Sequence, residues 1–446
     1  MHFFFSIALL FVLTLPAQAQ PVAEPKDVLT PASSLAEAGV LNPDALHKAT
    51  SFINSAITAG AFPGCRVLMA KEGKIFYDKS FGNFTYASDQ LVNQNTLYDI
   101  ASITKIVSTT LAVMRLYEQG RLKLDDSISR YVPFTLGTDK SALKVRDLLL
   151  HQAGLKAWIP FYRSYIDSTG ALKQDPFHFK YDPADYRIPV ASNLYLKCDY
   201  VDSVWSVILA SPLENKGRMV YSDLDYYFLE AAVECITGQK LDRYVSDSIW
   251  HPMGLYNIGY NPLGWAPVNR IAPTEYDNIF RGQLVQGYVH DPGAALFGGV
   301  AGHAGVFATA QDVAAIFQML LDGGSYNGKR FFKKETVNLF TAYGSKISRR
   351  GLGFDKPNPN SKNAGPTAER ASGYTFGHQG FTGTCAWADP ASGTVFVFLS
   401  NRVYPNAENN LINRLDVRTR VQDYLLEALG VPENKDREKV YKMQVK

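Results

Sequence analysis

The stretch YDIASITKIVSTTLAVMRLYEQGRL, residues 98–122, sets Ser102 three residues ahead of Lys105, at the mouth of a run with helical period. Positions i and i+3 share a helix face, so the hydroxyl and the amine can touch. The helix N-terminus adds free N–H groups and a positive dipole end, both suited to an acyl oxyanion. Beyond Lys105 the run is apolar (Ile106, Val107, Leu111, Ala112, Val113), which predicts a buried lysine whose charge is weakened enough to serve as a base. The bland alternative is a helix cap with a lysine on the next turn. About one or two S-x-x-K matches arise by chance in a chain this long, and a second occurs at Ser141-Ala-Leu-Lys144. That copy lies in the polar stretch GTDKSALKVRD and reads as a solvated helix entry.

Two further segments give the first pair company. GRMVYSDLDYYFLEAAVECITG places Tyr221 immediately ahead of a strongly periodic helix. A phenol there could carry a proton if nearby cations favour its anion. YTFGHQGFTGTCAWADP reads as a strand edge carrying His378 and Gly380 along a cleft. The Phe381 N–H could then complete an oxyanion hole with that of Ser102. His378 would hold a substrate carboxylate when protonated, which predicts an affinity falling between about pH 6 and 8. Otherwise it is a strand-edge histidine with no such task.

Working outward, GCRVLMAKEGKIFYDKSFG predicts a hairpin turning at Glu72-Gly73, after a first helix near Asp44–Thr58. GTCAWADPASGTVFVFLSNR predicts a second hairpin turning at Asp389–Gly393, followed by a helix around Asn409–Leu429 and a frayed charged tail. The middle reads as mostly helical, over 102–119, 143–150, 201–210, 223–237, 240–248 and 310–322. Strands at both ends around a helical middle imply an α+β fold: one antiparallel sheet built from the two termini, a second lobe and a cleft between them. The expected division is a signal peptide over 1–19, a linker over 20–40, an α/β lobe over 41–100 and 256–430, a mainly helical lobe over 101–255 and the tail over 431–446. The aromatic insertion between Gly154 and Tyr221 would either cover the cleft or pack as plain surface.

Composition narrows the function. The 446 residues carry 45 basic and 42 acidic groups, a net +3 that leaves no electrostatic footprint for nucleic acid. With 46% hydrophobic residues the chain can bury a large core. The eight histidines form no HExxH, so no metal is expected, and GGVAGHAG (298–305) has neither GxGxxG nor a Walker lysine. No cofactor is implied. MHFFFSIALLFVLTLPAQA reads as a secretory signal cut after about Ala19, too short for a comfortable membrane span. No later segment is apolar enough for one, so a periplasmic or secreted protein without stable membrane insertion is expected. Among the cysteines, Cys235 reads as a buried free thiol, Cys65 and Cys385 could pair, and Cys198 is unassigned.

Taken together, Ser102-Ile-Thr-Lys105, Tyr221-Ser222-Asp223 and His378-Gln379-Gly380 resemble the penicillin-recognising serine hydrolases, in their class C β-lactamase-like branch, whose marks are S-x-x-K, Y-x-N and K/H-x-G in that order. LYDIASITK, GRLKLDDSISRYVP, VRDLLLHQAGL and FVFLSNRVYPN are similar to the same family, from about residue 40 to 430. YSDLDY, VHDPGAALFGGVAGHAGVF and FGHQGFTGT resemble the subgroup around penicillin-binding protein 4B. The resemblance implies the two-lobe fold and an acyl-serine intermediate cleared by water. Ser102 would attack, Lys105 and Tyr221 would shuttle the proton, and Ser102 and Phe381 would hold the oxyanion. His378, Gln379, Gly380 and Asp223 would line the substrate pocket. The implied substrate is a peptidoglycan stem peptide, with a small ester or a β-lactam as alternatives, and a non-catalytic sensor of such ligands as the rival class. Asp223 in place of Asn, His378 in place of Lys and Gln379 in place of Thr weigh against efficient β-lactamase activity, since an ionised carboxylate only accepts hydrogen bonds.

Overall fold

The computed structural model describes residues 28–214, 217–360 and 365–445. The proposed signal peptide over 1–19 lies outside the described residues. Both predicted hairpins form, as Gly64–Lys71 with Lys74–Gly82 and as Cys385–Asp389 with Thr394–Ser400. They meet where Thr394–Ser400 pairs antiparallel with Gly64–Lys71, Val397 facing Leu68. The six-stranded sheet runs Thr30–Pro31, Lys74–Gly82, Gly64–Lys71, Thr394–Ser400, Cys385–Asp389, Phe376–Gln379. It is antiparallel throughout except for its first pair. The chain ends therefore build one sheet, as the α+β reading requires.

The central strands are apolar without alternation because helices cover both of their faces. Val67, Met69, Phe396 and Phe398 point to the helices Pro43–Thr58 and Val417–Ala428, packing on Ile53, Val421 and Leu425. Leu68, Val395, Val397 and Leu399 point to the helix Ala310–Leu321. Truncating a buried ring such as Phe398 to alanine is expected to cost about 3–5 kcal/mol. The second cluster continues from Val313 and Phe317 into Ile106, Leu111 and Phe228, so the sheet and the helical region share one apolar core. At their seam lies a three-stranded sheet of Tyr98–Asp99, Val306–Ala308 and Ile258–Tyr260.

Several expectations need correction. Residues 28–40 are not a bare linker: Thr30–Pro31 pairs with Lys74–Ile75, and Leu29, Ala38 and Val40 are buried. The predicted helix 409–429 breaks at Asp416, which takes a φ of +50°, into Leu411–Arg414 and Val417–Ala428. The charged tail is docked, with helix Arg437–Gln444 anchored by the buried Arg437 guanidinium, which donates to the carbonyls of Ala371 and Glu369 at 3.0 Å. Gly373 allows the approach, since a Cβ there would stand 2.8 Å from that of Val440. The insertion after Gly154 carries a small sheet of Phe177–His178, Leu194–Leu196 and Ile188–Ala191.

All four cysteines are free. Cys65 pairs with Ser400 and Cys385 with Phe398, on opposite sides of one strand. Two strand spacings, roughly 9.5 Å, separate them, beyond the reach of a disulfide. Cys235 is exposed rather than buried, on the outer face at the end of its helix. Among the described residues no helix is long and apolar enough to cross a membrane.

Candidate active site

Ser102 sits where the small seam sheet hands over to the first core helix. Asp99, at the end of Tyr98–Asp99, is buried; its Oδ1 accepts from the Ala101 N–H at 2.8 Å and its Oδ2 from the His290 N–H at 2.7 Å. Burial pushes its carboxyl up, and the two N–H donors oppose that rise. The first of these two hydrogen bonds holds Ala101 at a φ of +46°, a region costly for a residue with a Cβ. The next turn is 3₁₀ over Ala101–Ile103, then π-helical over Lys105–Thr110 before the α-helix Leu111–Glu118. π-turns inside helices are frequent at functional sites.

The loop after Phe376–Gln379 is pinned onto the same segment. The Thr382 hydroxyl donates to the Asp99 carbonyl at 2.7 Å and the Thr384 hydroxyl to the Ile100 carbonyl at 3.2 Å. Gly380 is required by closeness, because a Cβ there would collide with Thr384 Oγ1 and stand 2.6 Å from the Ile100 oxygen. No described group accepts from the backbone N–H of Ser102 or of Phe381. Phe381 is 56% exposed, its ring stacked on His290 (5.6 Å between centroids) with the Arg402 guanidinium 4.4 Å from its centre.

Lys105 is fully buried and spends all three ammonium protons: on Ser102 Oγ at 3.0 Å, Asp223 Oδ1 at 2.7 Å and the His303 carbonyl at 3.2 Å. Burial works to discharge it, but the Asp223 carboxylate and then Tyr221 outweigh burial and hold its pKa above the ordinary lysine value. The expectation that burial alone would make Lys105 a weakened base is therefore overturned. Asp223, placed at the start of helix Leu224–Thr237, is the counter-ion of that lysine as well as part of the pocket wall. Tyr221 presents its ring to two cations, with Lys105 Nζ 4.9 Å and Arg350 Cζ 5.0 Å from the centroid. Its buried hydroxyl has no hydrogen-bond partner among the described residues.

His378 does not behave as expected. It is buried, its Nε2 accepts from Arg350 Nη1 at 3.1 Å, and its Nδ1 donates to the Gln379 carbonyl at 2.6 Å. Burial, reinforced by the Arg350 charge, pushes its pKa down to about 3. A neutral imidazole cannot attract a carboxylate between pH 6 and 8, so that expectation is corrected. Gln379 donates from Nε2 to the Pro366 carbonyl at 3.0 Å. The positive charge comes instead from Arg349 and Arg350, which the sequence reading missed; Arg349 forks onto Asp355 at 2.8 and 3.0 Å.

Two cavities meet at Ser102, Tyr221 and Phe381. One, of about 400 Å³, is walled by Trp158, Pro292, Ala304, Asp223 and Asp291. The other, of about 750 Å³, is lined by His378, Gln379, Gly380, Arg349, Arg350 and Arg418. Trp158 is held there because Ser222 Oγ donates to the Lys156 carbonyl and the Asp223 N–H to that of Ala157, at 2.6 and 2.9 Å. Asp223, Asp291 and His303 bring ligand-type atoms within 4.8 Å of one another. That group already carries its compensating cation, the Lys105 ammonium on Asp223.

A two-ended sheet with a Ser-Lys pair at its seam defines the β-lactamase and penicillin-binding-protein type of serine hydrolase. Residues 49–420 match the Beta-lactamase family, and the chain belongs to it. It is 32% identical over 418 residues to a protein of Escherichia coli O157:H7 named "Putative D-alanyl-D-alanine carboxypeptidase", covering 87% of this chain and 89% of that one. Among solved structures it resembles a penicillin-binding protein homologue from Caulobacter crescentus, with TM-score 0.61 and 20% identity over 87% of this chain and 98% of the other. EstCE1, described as a hydrolase with promiscuous acyltransferase activity, superposes with TM-score 0.61 at 22% identity, covering 85% and 99%.

Proposed function

We propose that the protein is an exported serine peptidase of the D-Ala-D-Ala carboxypeptidase type, acting on cell-wall stem peptides through an acyl-Ser102 intermediate. One observation carries the reading: Ser102 Oγ lies 3.0 Å from a fully buried, charged Lys105, at the junction of an apolar cavity and an arginine-lined one. Ser102 attacks the scissile carbonyl carbon while its proton passes to the Tyr221 oxygen and the phenol's own proton passes on to the leaving nitrogen. Lys105, held as an ammonium, orients the attacking oxygen and stabilises charge beside it. The N–H groups of Ser102 and Phe381 receive the oxyanion. The C–N bond breaks, the leaving amine takes the proton, and water then clears the ester. Arg349 and Arg350 face the leaving group's carboxylate, with His378, Gln379 and Gly380 shaping that wall; the acyl side lies against Trp158. The carboxypeptidase name of the relatives supports this substrate class.

A second reading, hydrolysis of a small ester, is favoured by the apolar walls of the smaller cavity, Trp158, Pro292 and Ala304. The decisive comparison is turnover of a D-Ala-D-Ala peptide against p-nitrophenyl acetate, with intact mass after exposure to fluorescent penicillin. Release of D-Ala with a transient adduct on Ser102 is expected. Full turnover of both substrates by Ser102→Ala would end the case.

A further inference from the structure

His151 lies in DLLLHQAGL, far in sequence from every group assigned a chemical task above. It is 1% exposed and takes a φ of +56°, a conformation uncommon without glycine and kept only where the surroundings impose it. Three contacts impose it, and all converge on Tyr221. The His151 carbonyl accepts from the Val220 N–H at 2.9 Å, its Nδ1 accepts from the Ser222 N–H at 3.2 Å, and its ring lies 4.6 Å from the Tyr221 ring at 50°. One residue thus grips the chain on both sides of the phenol and the phenol itself: its backbone carbonyl holds Val220, and its side chain holds Ser222 and the Tyr221 ring.

Behind the ring, Asp225 Oδ2 stands 2.7 Å from the same Nδ1. A nitrogen that accepts from Ser222 needs its partner acid to bring a proton. Burial supplies that condition, pushing the Asp225 carboxyl well up and, with the charges of Arg350 and Lys105, the His151 imidazole well down. The pair is therefore neutral, in a pocket faced by Lys105, Arg350, His378 and Asp223. A neutral clamp can hold Tyr221 between two cations without adding a third.

We infer that His151, backed by Asp225, is the positioning residue for Tyr221: it fixes the phenol against Ser102 and Lys105 without touching substrate. This rests on the reading of Tyr221 as the proton carrier, and the experiment separates the two. Ester and peptide turnover would be measured for Tyr221→Phe, His151→Asn and the double variant, with melting temperature and a kcat profile over pH 6–10 for each. His151→Asn is expected to lower kcat about 10- to 100-fold, the usual effect of losing a supporting residue, to leave KM within about twofold, and to shift the kcat profile. In the Tyr221→Phe background the same change should add almost nothing, because the group it positions is gone. Asp225→Asn, whose amide can still donate to Nδ1, should keep most activity, whereas Asp225→Leu should not; this arm stands even if His151→Asn fails to fold. Should Tyr221→Phe turn over at the normal rate, the proton-carrier reading falls and the clamp with it. Should Tyr221→Phe be slow while the His151→Asn loss multiplies with it, or Asp225→Asn be as damaging as Asp225→Leu, the clamp alone is overturned.

Discussion

Ser102-Ile-Thr-Lys105 and Ser141-Ala-Leu-Lys144 share a pattern and share nothing else. Lys105 is sealed in the core with three acceptors around its amine. Lys144 is exposed, paired with Ser127 through backbone alone, and no described group accepts from its amine. Ser102 opens onto two cavities, whereas Ser141 lies in a surface turn whose N–H donates to the Thr138 carbonyl at 3.3 Å. The residues after each lysine separate the two: IVSTTLAV drives the first lysine inward, while VRDLLL buries its own leucines and leaves the second outside. A tetrad becomes chemistry only where the next turn is apolar and a distant carboxylate waits.

The largest effect should come from the two serines. Ser102→Ala is expected to lower turnover by about 10⁴- to 10⁶-fold and abolish the covalent adduct, read by intact mass. Ser141→Ala should leave both within about twofold. Next come the lysines, read by urea unfolding. Lys105→Met leaves Asp223 unpaired, for which a fully buried pair would lose about 3–5 kcal/mol; with Asp223 one-fifth exposed, about 2–3 kcal/mol is expected. Lys144→Met should fall within about 0.5 kcal/mol of wild type. Equal losses at the two lysines would erase the distinction.

Sequence showed what is local and hid what is contributed from afar. Ser102 and Lys105 are legible because three residues of helix bring them together, and the hairpins because apolar runs flank Gly-bearing turns. The Asp223 carboxylate reaches Lys105 across 118 residues, so no local spacing could show that it keeps the amine charged. Arg350 comes from SRRGLGF, a loop without periodicity, and only the fold brings its guanidinium beside His378. His151 was masked by the leucines before it. The docked tail escaped notice for a related reason: a segment rich in Lys, Glu and Asp reads as solvated, yet Arg437 anchors it by bonding to the carbonyls of Ala371 and Glu369.

A smaller effect tests whether His378 or Arg350 offers positive charge to a substrate carboxylate. With His378 titrating near 3, KM for a carboxylate-bearing peptide should be flat from pH 6 to 8. Arg350→Met should raise it about tenfold or more, as loss of a charged hydrogen bond would. Stability gives the sign independently. The unfolded imidazole binds its proton near 6.5 and the folded one near 3. Within that window the unfolded state holds more protons, so stability falls with falling pH by about 1.4 kcal/mol per unit. His378→Gln should remove that part of the slope in unfolding titrations. A slope unchanged by the substitution would return His378 to the protonatable carboxylate holder that its motif position first suggested.

The smallest expected effect bears most directly on what separates the two tetrads. Asp223→Asn preserves shape and keeps an oxygen that can accept from Lys105, but removes the charge that most raises the lysine's pKa. Burial then acts with less opposition, so the pKa must fall and a larger share of Lys105 is unprotonated at pH 7. That form lacks the charge that the ammonium places beside the attacking Ser102 oxygen. The alkaline limb of the acylation-rate profile should therefore move down by about a pH unit or more. Labelling by fluorescent penicillin at pH 7 should slow by less than about tenfold. A stopped-flow labelling series from pH 6 to 10 reads both. An unmoved limb would mean that burial alone distinguishes Lys105 from Lys144, and that the carboxylate at 223 serves the substrate rather than the lysine.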